Sequence, residues 1–185
     1  MILPIYAFGQ PVLKKMSEDI TPDHPGLTDL IANMWDTMYK ANGIGLAAPQ
    51  VGHPIRLFVV DTLQLSDKGK PIEGFKRVFI NAHLVESNGS IESIEEGCLS
   101  IPDIRGDVER PPIIRLQYVD EQFQPFDEVF TGINARVIQH EYDHIEGVLF
   151  VERLKPLKRQ LIRRKLENIR RGKIDVDYKM KFALK

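Results

Sequence analysis

Apolar residues recur every three or four positions after Pro25, at Leu27, Leu30, Ile31, Met34, Trp35 and Met38. That spacing lines one side of a helix and predicts an amphipathic element there, with Asn42 and Gly43 to end it. The pattern then changes. Gly43 to Gly52 reads GIGLAAPQVG, in which two glycines alternate with apolar residues and Pro49 interrupts any regular element, so the segment suits a close approach to a ligand. Short β-branched or aromatic runs at Arg56 to Asp61, Arg77 to Asn81 and Ile113 to Asp120 predict strands, and the polar stretch Leu65 to Gly74 predicts a loop. Thr131 or Gly132 opens a second helix, with Ile133, Val137, His140 and His144 on one face before Gly147. A third helix, from about Pro156 to Arg171, sets Leu157, Leu161, Leu166 and Ile169 against a basic surface. The strands are too few and too widely spaced for a repeating βαβ array. The expected architecture is α+β: one domain over residues 1–185, with small mixed or antiparallel sheets around a central helix carrying HEYDH (His140 to His144). A basic helical extension occupies 153–173.

Composition narrows the class. A chain of 185 residues supports one sizeable core. No apolar run approaches the roughly 20 residues that span a bilayer, so a membrane-spanning protein is excluded. MILPIYAFGQ, at the N-terminus, has no basic leader and carries Pro4 in its apolar stretch; no secretory signal is expected, and the cytoplasm is the expected address. Cys98 is the single cysteine, which rules out an internal disulfide and leaves a thiol that is buried, reactive or metal-bound. The formal charge of -1 hides an asymmetry: from Arg153 to Lys173 there are ten Lys or Arg against the single acid Glu167. The remainder of the molecule is correspondingly acidic.

HEYDH carries the sharpest chemistry. Residues four apart on a helix stand one turn from each other, so His140 and His144 reach one ion while Glu141 handles a proton on metal-activated water. A catalytic metal takes a third protein ligand and keeps an open position. An extension of the motif would need histidine at 150, where the chain has Phe150. Glu167 is available downstream but lies inside the basic segment. Cys98, in EGCLS (Glu96 to Ser100) beside a glycine, completes a Cys-His-His set, although position alone favours a small core residue over a ligand.

Three separated blocks, GIGLAAPQ at Gly43 to Gln50, EGCLS at Glu96 to Ser100 and QHEYDH at Gln139 to His144, together resemble the signature of the peptide deformylases. The resemblance covers roughly residues 1 to 160. It implies an enzyme that hydrolyses the formyl group from the N-terminal methionine of nascent polypeptides and releases formate. Cys98, His140 and His144 become the metal ligands, and Glu141 the group that accepts a proton from water and passes one to the departing amine. The side-chain amide of Gln50 and the backbone N–H of Leu99 become oxyanion donors. Gly43 and Gly45 resemble backbone partners of the substrate chain, and Glu96 and Arg105 polar supports around the ligand loop. Ile44, Ile133 and Val137 are assigned to the methionine pocket, though each also suits ordinary core packing. The resemblance implies ferrous iron, while a thiolate with two imidazoles also suits zinc, nickel or cobalt.

The basic segment predicts a docking surface for ribosomal RNA near the exit of the nascent chain, since polyanions reward such asymmetry. The deformylase resemblance implies the same partner. A monomer is expected, with no membrane contact. Two other readings use parts of these signals. A zinc endopeptidase would use HEYDH but would leave EGCLS and GIGLAAPQ unexplained. A nucleic-acid-binding module with a structural metal would normally close its site with four protein ligands, and only three are nominated.

Overall fold

The computed structural model describes residues 1–66 and 73–184. Of the expected loop from Leu65 to Gly74, residues 67–72 lie outside the described residues; Leu65 itself ends a 3-10 turn, Thr62–Leu65.

Helix α1 (Leu27–Lys40) buries Leu27, Leu30, Ile31, Met34 and Met38. Trp35 packs against the same core from its edge. The helix stops where expected: Asn42 adopts a left-handed φ of 56°, a conformation that a short polar residue tolerates at a helix end.

Strands β1 (Ile5–Tyr6), β2 (Gly45–Ala47), β3 (Leu57–Asp61), β4 (Lys76–Asn88), β5 (Glu92–Cys98), β6 (Ile101–Arg110), β7 (Ile113–Val119), β8 (Pro125–Thr131) and β9 (Met180–Lys181) form three sheets. The largest is antiparallel, in the order β2-β3-β4-β7-β8, while β5 and β6 make a separate antiparallel hairpin and β1 pairs with β9 in parallel. With helices α2 (Gly132–Ile145) and α3 (Pro156–Arg170), this is the expected α+β arrangement.

Strand β3 explains the layering. Leu57 and Val59 belong to the core under α1, and Phe58 and Val60 to the core under α2. A strand buried on both faces needs a continuous apolar run, which is what LFVV supplies. The sheet therefore lies between α1 and α2, with Phe58 and Phe79 stacked at 4.9 Å between centroids on the α2 side. A third core joins Ile101, Ile104 and Val108 of β6 to Phe150, Leu154, Ile162 and Ile169.

Several elements differ from the sequence reading. β4 runs to Asn88 rather than Asn81, with register shifts after Ile80 and Leu84. The hairpin β5-β6 and the edge strand β8 had no clear apolar run to announce them. β6 does alternate inward and outward, but Gly106 and Arg110 occupy two of its inward positions. On α3 the inward residues are Ile162 and Ile169, with Leu166 half-buried. Leu157 and Leu161, expected to pack inward, are 69% and 70% exposed. The buried stripe runs 162, 166, 169: it keeps Leu166 and Ile169 of the expected set, and Ile162 stands in for Leu157 and Leu161, which lie on another side of the helix.

Candidate active site

Two elements converge on one point. Helix α2 supplies His140, Glu141 and His144; the last residue of β5 and the turn that follows it supply Cys98 and Leu99. Cys98 Sγ lies 3.3 Å from His144 Nε2, and one donor atom from each of Cys98, His140 and His144 falls within 4.8 Å of the others. A thiolate with two imidazoles at this separation fits a divalent transition-metal ion.

Helix α2 is unusual in burying polar side chains all round: Arg136, Gln139, Glu141, Asp143 and His144 are all buried. Buried charge is tolerated only when paired and hydrogen-bonded. Here the hairpin supplies the partners. Glu96 accepts hydrogen bonds from Arg110 Nε at 2.7 Å and Nη2 at 3.0 Å, from Arg136 Nη1 at 3.1 Å, and pairs with His140 Nδ1 at 2.9 Å. Arg110 Nη1 donates to Asp143 Oδ2 at 2.9 Å, and Arg153 holds the same carboxylate with two bonds of 2.6 Å. Burial would raise the Glu96 carboxyl, but hydrogen bonds from His140 and Arg110 outweigh it and hold it well below the usual carboxylate range. With Nδ1 pinned by an ionised carboxylate, the ring of His140 is oriented and its Nε2 is left to face the cluster.

Glu141 has a different environment. It is 4% exposed, Oε2 finds no hydrogen-bond partner among the described residues, and burial pushes its carboxyl up to about 7. It lies directly against Gly45: a Cβ there would stand 2.7 Å from Glu141 Cδ. The glycine at that position makes room for the carboxylate.

Gln50 is oriented by its own turn. Its Oε1 accepts from the backbone N–H of Ala47 at 2.9 Å, so its amide NH₂ faces the cluster, 3.5 Å from Cys98 Sγ and 3.2 Å from Ser100 Oγ. A cavity of about 650 Å³ opens over these groups, with Gly43, Ile44, Gly45, Ile133 and Val137 among its walls.

Three of the residues named from the sequence are engaged by neighbours. Glu96, expected as a polar support around the ligand loop, bonds His140, Arg110 and Arg136. Arg105 sits at the mouth of the cavity, largely exposed and bound to Glu95 at 2.8 Å. Gly43 already donates its N–H to Met38 O and accepts from Gln64 Nε2 at 3.1 Å; a Cβ there would meet Leu99 Cδ1 at 2.8 Å. The sequence reading missed Arg110, Arg136, Asp143, Ser100 and Tyr178. The inward phase of β6 points to Arg110, and the helical phase of HEYDH to Asp143; no local pattern marks Tyr178, which lies 79 residues from its partner Leu99.

A family model described as polypeptide deformylase matches residues 2–160. This chain belongs to the peptide deformylase family. A peptide deformylase of Flavobacterium johnsoniae is 55% identical over 190 residues, covering 99% of this chain and 97% of its own; one from Salinibacter ruber is 43% identical, covering 96% and 93%. Among solved structures, a peptide deformylase of Plasmodium falciparum matches with a TM-score of 0.82 at 35% identity, over 91% of this chain and 95% of its own. One from Legionella pneumophila gives 0.80 at 38% identity, over 94% and 98%. Deformylation of nascent peptides, a hydrolysis, is the function of the peptide deformylase family and of this chain as a member of it. Neither the endopeptidase nor the nucleic-acid module is favoured by that assignment.

Proposed function

We propose that Cys98, His140 and His144 hold one divalent metal, ferrous iron in the cell, and that the centre removes formyl from N-formylmethionyl nascent chains in the cytoplasm. The observation that carries this is the convergence of the three donor atoms within 4.8 Å at a cavity that Glu141 also lines. A divalent metal there supplies Lewis acidity, lowering the pKa of a water and drawing charge from the formyl oxygen.

The chain's own residues supply the rest. Glu141 accepts the proton of the attacking water and returns one to the departing amine, a role that suits a carboxyl pushed towards neutrality by burial. The Gln50 amide and the Leu99 N–H donate to the developing oxyanion, without introducing another strongly hydrated charge. Ile44, Ile133 and Val137 form apolar walls for the unbranched methionine side chain. β2 is an edge strand, so an extended peptide can pair along its outer side at Gly45.

The basic surface of α3 docks the enzyme on ribosomal RNA, and the protein works as a monomer. The salt bridges refine that surface. Arg153 is committed to Asp143, and Arg170 and Arg171 share Glu167, so Lys158, Arg159, Arg163, Arg164 and Lys165 carry most of the free charge.

A formyl-Met peptide assayed beside its acetylated and unmodified counterparts tests the reaction. Formate should appear only from the first; internal cleavage without formate would reject the assignment. Metal analysis of anaerobically purified protein should find iron, and zinc alone with full activity would reject iron.

A further inference from the structure

Beyond α3 the chain turns back to the catalytic cavity. Gly172, with a left-handed φ of 66°, ends the helix, and Asp175 to Tyr178 then form part of the cavity wall before β9 pairs with β1. The return is firmly tied. Ile5 N–H donates to Lys179 O at 2.8 Å, Ala7 N–H to Lys181 O at 3.0 Å, and Gln10 Nε2 to Phe182 O at 2.7 Å.

One contact from this strap reaches the ligand turn. Tyr178 Oη donates to the carbonyl of Leu99 at 2.8 Å, while its ring packs, half-buried, in the core beside Leu99. The turn needs outside support, because the β5-β6 register shifts between Gly97 and Cys98 and leaves Leu99 and Ser100 outside the ladder. Its other supports lie elsewhere: Phe8 N–H donates to Ser100 O at 2.9 Å, and Gln50 Nε2 reaches Ser100 Oγ at 3.2 Å. Neither touches the Leu99 carbonyl.

We propose that Tyr178 is a positioning residue whose hydroxyl, by holding the Leu99 carbonyl, fixes the turn that presents the Cys98 thiolate and the Leu99 amide to the reacting group. The proposal rests on the deformylase reading of the cavity and adds to it a residue from beyond the matched family region, which ends at residue 160. An oxyanion donor acts only when its N–H is aimed where charge develops, and small misplacements of such groups cost rate rather than binding. Loss of the hydroxyl should therefore lower turnover and leave the methionine pocket and the metal in place.

Tyr178→Phe keeps the ring and removes the hydroxyl alone. Against a formyl-Met tripeptide, kcat should fall about three- to tenfold, the consequence of losing one net hydrogen bond from a positioned group, with KM within about twofold of the parent. Metal content should be unchanged, and hydrogen exchange at the Leu99 and Ser100 amides should quicken. Lys181→Ala, which removes the Lys181 to Tyr6 contact from the same strap, should leave kcat unchanged. An unchanged kcat in Tyr178→Phe overturns the proposal. So does a raised KM at constant kcat, which would make Tyr178 a substrate contact, or a fall in kcat that tracks metal loss. An equal fall in Lys181→Ala would assign the effect to the strap as a whole and also overturn it. If wild-type protein releases no formate, the deformylase reading fails first; if wild-type and Tyr178→Phe release it at the same rate, only the role of Tyr178 fails.

Discussion

Charge is used in opposite ways on the two helices that flank the hairpin. Around α2, Glu96, Arg110, Arg136 and Asp143 are all less than a tenth exposed and bonded to one another. Along α3, cations face water, and the ion pairs with Glu167 are surface pairs. Desolvated charges depend on every partner being present, whereas solvated ones are individually dispensable and act through their summed field. The first arrangement suits a site whose geometry must hold to fractions of an ångström; the second suits contact with an extended polyanion.

The largest expected effect comes from the one buried acid on α2 that has no cationic partner. Glu141→Gln keeps size and burial, so the fold should persist, but it removes the proton acceptor and should lower kcat by about 10²–10⁴. Metal content should be retained, since Glu141 is not among the ligands. Activity within a few-fold of wild type, at matched metal content, would remove Glu141 from the reaction.

The next effect tests the buried network. Arg110→Met leaves Glu96 and Asp143 each short of a cation, and breaking a buried pair in this way costs about 3–5 kcal/mol. For a domain of this size that corresponds to a fall in Tm of roughly 6–20 °C. Activity should fall too, because Glu96 orients His140 through the 2.9 Å contact to Nδ1. A melting temperature within about 2 °C of wild type would show that the remaining cations, Arg136 and Arg153, satisfy both carboxylates unaided.

The same contrast explains what could be read from the chain. The cluster of Cys98, His140 and His144, with Glu141 beside it, was accessible because HEYDH places its side chains at fixed helical spacing, and because EGCLS and GIGLAAPQ join it in a recognisable order. α1 was accessible because Leu27, Leu30, Ile31, Met34 and Met38 share one buried face. The network around Glu96 was not. Its members come from β5, β6, α2 and the turn at Arg153, and an arginine on a strand looks the same in sequence whether it points to solvent or inward. The pleat of β6 held a clue, but Gly106 replaced an apolar residue for a steric reason: a Cβ there would meet Leu154 Cδ2 at 2.7 Å. Leu157 and Leu161 misled in the opposite direction, since leucine on a helix is read as inward by default while both stand exposed. Tyr178 had no local pattern at all, because its partner is brought to it only by the pairing of β9 with β1.

The smallest effect on catalysis, and the sharpest test of the outer helix, is to neutralise α3. Arg163, Arg164, Arg170 and Arg171 replaced by glutamine remove four cations without touching Ile162 or Ile169, the side chains that seat the helix. The surface pairs to Glu167 contribute little to stability in water, so Tm should shift by less than about 2 °C. Hydrolysis of a short formyl-Met peptide should stay within about twofold of wild type. Ribosome co-sedimentation should weaken, and its dependence on salt should flatten, because each lost phosphate contact removes a share of the counterion release that drives binding. Among the four, Arg163 and Arg164 should account for more of the loss than Arg170 and Arg171, whose charge is partly offset by Glu167 at 3.6 and 2.5 Å respectively. Co-sedimentation unchanged at low and moderate salt would rule out this surface as the main dock. Lost peptide hydrolysis would place α3 with α2 after all, as a helix whose charges the site depends on.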